Sequence, residues 1–418
     1  MKPVSPKHPP LSGFTLVEML VSVTVLVLIM AFIAQMMNSA TISTTLSGKH
    51  VDSDAEARLV FDRMSADFAR MSHRTDVDFI FAKQPYYQQM ETSGGLSGET
   101  SGTDCRMFFY SESPAYPAAV SGTDSSSVAL IGYTVNTTGT SYTPAYSLQR
   151  LSKGLTLNTQ INQSSGGSGN ETSSMLFLTA TGQGGLPLTP TGLLNSESAV
   201  IGVYPDPPSD VSDYDLLSPE VFRMDFAYEV KDLSNPIAPT TAYSNYPCAF
   251  FVKGATNIET INNYAPPQTA VFGAHPAVGD RWYDTNTNRA YRCTNLISNT
   301  TSTGGTQTIP IWTPNGMADV NAIVVTIAIL DQRTRKLLPN DTILSTIASA
   351  FLAPTEAGLN PKLQSGGTST QPQLTADLWQ SELNTLLTQN TSASNAQIPA
   401  SVLGQVRIYQ RFFNLNNN

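Results

Sequence analysis

The chain has 418 residues, 40% of them apolar and 13% charged, with 23 Lys and Arg against 32 Asp and Glu. At about 150 residues per domain that length suggests two or three folding units, and the net charge of −9 argues against nucleic acid as a partner, because phosphate binding needs a basic face. With 3 cysteines and 4 histidines, the chain excludes a disulfide-rich miniature fold, a four-cysteine metal site and a histidine-rich one.

Residues 1–13, MKPVSPKHPPLSG, are short and basic, with Lys2 and Lys7. From Phe14 to Ala34 follows FTLVEMLVSVTVLVLIMAFIA, in which Glu18 is the sole charge. A helix of about 20 apolar residues spans a bilayer, so this segment predicts a membrane crossing. The lysines before it place the N-terminus in the cytoplasm and the remainder of the chain outside. A cleavable secretory signal would have a shorter apolar run with small residues at its cut site. Glu18 is the anomaly, since a carboxylate inside a spanning helix costs on the order of 2.5–3.5 kcal/mol and needs a partner such as an ammonium at the same depth. A cut between Gly13 and Phe14 would create one, the new α-amine.

Gly13-Phe14-Thr15-Leu16-Val17-Glu18, placed before such a run, resembles the prepilin cleavage site of the type IV pilin and type II secretion pseudopilin family. The resemblance implies that a membrane-bound prepilin peptidase cuts after Gly13 and N-methylates Phe14. It implies that Glu18 pairs with the amine of a neighbouring subunit. The partners it brings are that peptidase, other pilin or pseudopilin subunits and an inner-membrane assembly platform. Residues 1–13 are then a cleaved leader and 14–37 a transmembrane helix. The protein sits in the inner membrane as a single-pass protein with a periplasmic C-terminal head, and enters a periplasmic or cell-surface filament after assembly.

Residues 38–74 predict a continuation of the helix as a spine. Ala57, Phe61, Met64, Phe68 and Met71 recur at helical spacing as one apolar stripe, and Asp54/Arg58 and Arg63/Asp67 read as i, i+4 pairs on a solvated face. Thr41–Ser47, rich in Ser and β-branched residues and followed by Gly48, predicts a break or fraying. The segment ARLVFDRMSADFARM resembles the one after the membrane helix in long minor pilins and J-type minor pseudopilins.

Beyond Thr75 the pattern predicts short strands at Val77–Ala82, Met107–Tyr110, Val128–Val135, Met175–Ala180, Ala199–Tyr204, Val221–Val230 and Ala322–Leu330. In Val221–Val230 apolar residues alternate with Arg223, Asp225 and Glu229, apart from Ala227, which predicts one wet face. Ala322–Leu330, almost wholly apolar, predicts a central strand. ALIGYTV and AYSLQRL, separated by the hairpin-like NTTGT, resemble the strand pair after the helix in J-type pseudopilins, and FRMDFAYEV and VNAIVVTIAILD resemble two later strands of that family. Over its short length VRIYQRFFNLNN resembles the cassette protein C group of verrucomicrobial prepilin-like proteins. Leu374–Gln389 predicts an amphipathic helix over the sheet.

Gly94–Asp104 and Ser164–Ser174 are rich in Gly, Ser and Thr and predict mobile loops. Residues 232–311 read as an inserted small β-rich module, which leaves 75–231 and 312–418 as a pilin-like head. The module pattern resembles β-hairpin modules of phage fibres and extracellular binding proteins. Trp282, Tyr283, Tyr291 and Trp312 are either its core, the favoured reading, or an aromatic platform for a sugar face. Cys248 and Cys293 could be bridged outside the cytoplasm, leaving Cys105 unpaired.

No G-x-S-x-G, P-loop, G-x-G-x-x-G, H-E-x-x-H or C-x-x-C occurs, so neither catalysis nor a cofactor is expected. Asp206, Asp210, Asp213 and Asp215 read as a solvated acidic loop in preference to a calcium site, and no metal is expected. The whole predicts an α+β, pilin-like fold: a long N-terminal transmembrane and spine helix packed on an antiparallel β-sheet head with insertions. The function it implies is that of a minor pilin or pseudopilin, a structural subunit of a type IV pilus or type II secretion pseudopilus. The alternative is a pilin-anchored adhesin or glycan-binding surface protein.

Overall fold

The computed structural model describes residues 15–72, 106–113, 129–136, 144–154, 214–232, 240–245, 247, 277–284, 289–300, 306–338, 341–354, 356–359, 372–389 and 398–415. The predicted strands at 77–82, 175–180 and 199–204 and both Gly/Ser/Thr-rich loops lie outside these residues. The chain forms two compact units, Met1–Asp54 and Ala55–Asn418.

Helix α1 (Leu16–Phe68) runs unbroken for 53 residues. The break predicted at Thr41–Ser47 does not occur. Thr41 Oγ1 donates to Met37 O (2.8 Å) and Thr44 Oγ1 to Ala40 O (2.9 Å), so these hydroxyls share acceptors already in the helical ladder and compete with no backbone group. At its other end the helix stops at Phe68, short of the predicted residue 74. The amides of Arg70 and Met71 bond to the carbonyls of Asp67 and Phe68, tightening the last turn, and Met71 passes into a bridge with Ser111.

The second unit holds three antiparallel sheets. The first, in the order β1-β2-β3-β4, comprises Arg106–Ser111, Ala129–Asn136, Ser147–Gly154 and Tyr214–Ser218. The predicted ALIGYTV/AYSLQRL pair is its β2–β3 hairpin, in register from Ala129↔Gly154 to Asn136↔Ser147. The second sheet runs β11-β10-β5-β6, with β5 at Val221–Asp232, β6 at Thr240–Ser244, β10 at Val320–Leu330 and β11 at Val406–Asn414. The third, β7-β8-β9, comprises Arg281–Asp284, Arg289–Thr300 and Thr306–Pro314. Accordingly 232–311 is not one insert: β6 belongs to the second sheet, and the small sheet reaches Pro314.

Strand β10 is interior, as its composition predicts, because it is covered on both faces. Ile323, Val325, Ile327 and Ile329 join a core with Ala57, Val60, Phe61, Met64 and Phe68 of α1 and with Met107, Phe109 and Ile131 of the first sheet. The stripe read from the sequence is thus the buried face of the last part of α1. Ala328 and Leu330 point the other way, into a second core built by α3 (Thr342–Ala350), reached after the short α2 (Gln332–Lys336), and by α5 (Thr375–Gln389) and α6 (Ala400–Leu403); the short α4 (Glu356–Leu359) lies between α3 and α5 in the chain. Helix α5 matches the predicted amphipathic helix, with Trp379 and Leu383 buried.

That helical layer overturns the wet face predicted for Val221–Val230. Arg223 and Asp225 are only 3% and 1% exposed. Arg223 Nε donates to Phe351 O (3.1 Å), and Asp225 accepts from Thr375 Oγ1 (2.8 Å). The alternation is real, yet its polar side meets partners on the helices instead of water. A register shift opposite Ala328 and Ile329 also sends Phe222 to the second core, while Met224, Phe226 and Tyr228 face the first.

Toward the end of this face Glu229 pairs with Tyr243 across β5 and β6. Burial raises the Glu229 carboxyl above its ordinary value of 4.5, and burial followed by the Glu229 charge raises the Tyr243 phenol. A raised carboxyl favours the protonated folded state. Its contribution is therefore present below about pH 4.5 and is lost as pH rises through the folded value. Glu229→Gln should raise the thermal midpoint at pH 7 and leave it unchanged near pH 4; equal shifts at both pH values would disprove the linkage.

Candidate membrane and assembly segment

The candidate site is the start of α1. Gly13 and Phe14 lie outside the described residues, so the structure adds nothing to their predicted roles. Thr15 and Glu18 form a reciprocal cap. Glu18 N donates to Thr15 Oγ1 (3.3 Å), and Glu18 Oε2 accepts from Thr15 N (3.0 Å) and Thr15 Oγ1 (2.9 Å). With Leu16 as the first helical residue, this is the Ser/Thr-x-x-Glu capping box, which satisfies orphan amide groups at the helix start. The charge sits in the first turn, where the helix dipole favours an anion. The Thr15-Leu-Val-Glu18 spacing carries this signal, whereas the expectation from the sequence gave Glu18 only an ammonium partner on a neighbouring subunit.

From Leu16 to Thr41, 26 residues of α1 are long and apolar enough to cross a membrane, and their side chains are exposed. At about 1.5 Å per residue this is longer than a hydrocarbon core of about 30 Å. The hydroxyls within it turn onto the backbone, Ser22 Oγ to Glu18 O (2.7 Å) and Thr24 Oγ1 to Val21 O (2.8 Å). Polar groups in such a segment are thereby satisfied internally, as an environment without water requires.

The other predicted sites fare differently. In the third sheet the register sets Trp282 opposite Tyr291 and Trp312 opposite Cys293, whereas Tyr283 pairs with Ala290, one step out of phase. Cys293 is buried and its sulfur donates to Asn295 O (3.6 Å); Cys248 lies outside the described residues, so the bridge between them remains an expectation. Of the acidic loop only Asp215 is described, exposed in β4. Among the described residues no group of His, Cys, Asp and Glu is placed to hold a metal.

A buried ion pair went unread. Asp67, taken from the sequence as half of a surface pair with Arg63, is 3% exposed. Its carboxylate accepts from Arg150 Nε (2.7 Å) and Nη2 (2.9 Å) and from the Tyr133 hydroxyl, while Arg63 stays 3.8 Å away and half exposed. Burial, then the Asp67 charge, pushes the Tyr133 phenol far above its ordinary range. Burial alone would lower Arg150, but Asp67 outweighs it and the guanidinium value rises. Helix and first sheet are thus joined by a fully occupied charge cluster.

These features define an α+β protein with antiparallel sheets and an N-terminal helix able to span a membrane. No protein family, curated protein or solved structure matches the chain.

Proposed function

We propose that the protein is a prepilin-like structural subunit, a minor pilin or pseudopilin of a type IV pilus or type II secretion pseudopilus. The observation that carries this reading is a long exposed apolar span, Leu16–Thr41, whose one acid, Glu18, stands in the first turn of the helix, four residues after Phe14. In this reading prepilin peptidase cuts after Gly13 and methylates Phe14. The helix holds the subunit in the inner membrane, with the chain after it in the periplasm. Assembly packs the helix against those of other subunits on a membrane platform, and the protein turns over no substrate. The apolar stripe from Ala57 supports the use of the last part of α1 as a spine under the sheets.

N-terminal mass spectrometry of the protein from its own host tests this. The expected first residue is Phe14 carrying a methyl group on its amine. An intact Met1, or a cut after Ala34, would overturn the reading. Replacing Gly13 by a bulky residue should leave full-length precursor in the membrane.

A further inference from the structure

Residues 315–319 carry the chain from β9 to β10, and so from the third sheet to the second. Gly316, at φ +52°, stands where the two sheets divide this turn between them. Before it, Asn315 belongs to the third sheet, because its amide donates to Ala290 O in β8 (2.8 Å). After it, Met317 and Val320 lie in the first core, and Asp319 O accepts from Lys231 N near the end of β5 (3.0 Å). The Asp319 side chain crosses back to the third sheet. Its buried carboxylate accepts from Arg281 of β7, Nε to Oδ2 at 2.6 Å and Nη2 to Oδ1 at 2.9 Å, and from Asn315 Nδ2 at 2.7 Å. Arg281 Nη1 donates to Gly279 O, which holds the guanidinium in place. A bidentate pair of this kind fixes orientation as well as distance. The third sheet meanwhile closes on itself by other bonds: Cys293 N donates to Asp280 O (2.9 Å), Gly279 N to Cys293 O (2.8 Å) and Thr294 Oγ1 to Ile311 O (3.3 Å).

We propose that the Arg281–Asp319 pair is a catch that sets the third sheet on the second, and that opening it lets the third sheet turn as one folded body about Gly316. Asp319 has its carbonyl bonded to one sheet and its carboxylate to the other, so the pair spans the joint. Glycine is the residue whose backbone turns with least steric restriction, and Gly316 lies between the two anchored ends. The bonds broken by such a turn are those that cross Gly316: Arg281 to Asp319, Asn315 Nδ2 to Asp319, and Ala318 N to Asn315 O (3.1 Å). The bonds within each sheet stay closed. Removing one member of the pair leaves the other charge buried without its partner, which favours the open arrangement, where water reaches it. The inference stands apart from the filament reading.

The test uses full-length protein in detergent, with amide hydrogen exchange read at single residues by mass spectrometry. In Arg281→Met the Ala318 amide should exchange about tenfold faster or more, whereas the Asn315, Cys293 and Lys231 amides keep their wild-type rates. Time-resolved tryptophan anisotropy, to which Trp312 of β9 contributes, should gain a nanosecond component. Should that variant fold poorly, Arg281→Met with Asp319→Leu takes away both charges and should show the same pattern. Faster exchange at Cys293 together with Ala318 overturns the proposal, because the third sheet then unfolds instead of turning. Wild-type exchange at Ala318 in the double variant, or an unchanged anisotropy decay, overturns it as well, since contacts other than this pair then hold the sheet.

Discussion

Glu18→Leu protein should be inserted and cut after Gly13, yet be missing from sheared filaments or pseudopilus complexes. Removing the carboxylate makes the helix easier to hold in a bilayer, by about 2.5–3.5 kcal/mol on insertion scales, so anchoring survives. Under the proposed function, a neighbouring subunit then brings a positively charged amine that meets no carboxylate. A penalty of that same order corresponds to a fall of about a hundredfold in the assembled fraction. The capping box complicates the substitution, since losing the Glu18 carboxylate also removes the acceptor for Thr15 N. Thr15→Ala separates the two effects. It loses the hydroxyl side of the cap, worth about 1 kcal/mol, and keeps the charge. Assembly in Thr15→Ala together with its loss in Glu18→Leu assigns the defect to the missing charge. Wild-type levels of Glu18→Leu in filaments would remove the main physical support for the subunit reading and leave the membrane anchor standing.

Much of the fold was legible wherever one residue pattern answers to one environment. The later stripe of α1 and the two-faced burial of β10 are of this kind, because apolar periodicity records burial directly, and the length of the apolar run before them predicts a helix long enough to cross a membrane. The polar face of β5 was misread because alternation reports which side of a strand is polar, not whether that side is wet. Whether Arg223 meets water depends on a carbonyl at Phe351 and an indole at Trp379, both far along the chain. Asp67 was misread for the same reason: the helical spacing to Arg63 is local, and the partner that decides its burial is Arg150 in β3. Strand β11, read only as a resemblance, mixes Arg407 and Arg411 with apolar residues. It completes the sheet because β10 offers it an edge, in register from Leu330↔Val406 to Ala322↔Asn414. At the candidate site the opposite happened. The capping box is wholly local and was available in four residues, but attention to the bilayer cost of a charge hid the helix-start chemistry beside it.

Asp67→Ala should be among the most destabilising single changes in the second unit, by about 3–5 kcal/mol in urea unfolding followed by tryptophan fluorescence. The loss would not measure the strength of one ion pair. It would come from leaving the Arg150 guanidinium and the Tyr133 hydroxyl buried without their shared acceptor. A surface pair with Arg63, as the spacing alone suggests, would lose less than about 1 kcal/mol, so the two descriptions of Asp67 differ severalfold in the measured quantity. Removing both charges is the sharper experiment. Asp67→Leu with Arg150→Met replaces the pair by apolar groups of similar bulk and takes away the stranded cation, so it should recover most of the stability lost in Asp67→Ala. Tyr133→Phe added to that background should help further, since its hydroxyl has then lost the carboxylate that holds it. If the double variant is as unstable as Asp67→Ala, the loss lies in the packing of α1 against β2 and β3, and the charge cluster is incidental to it.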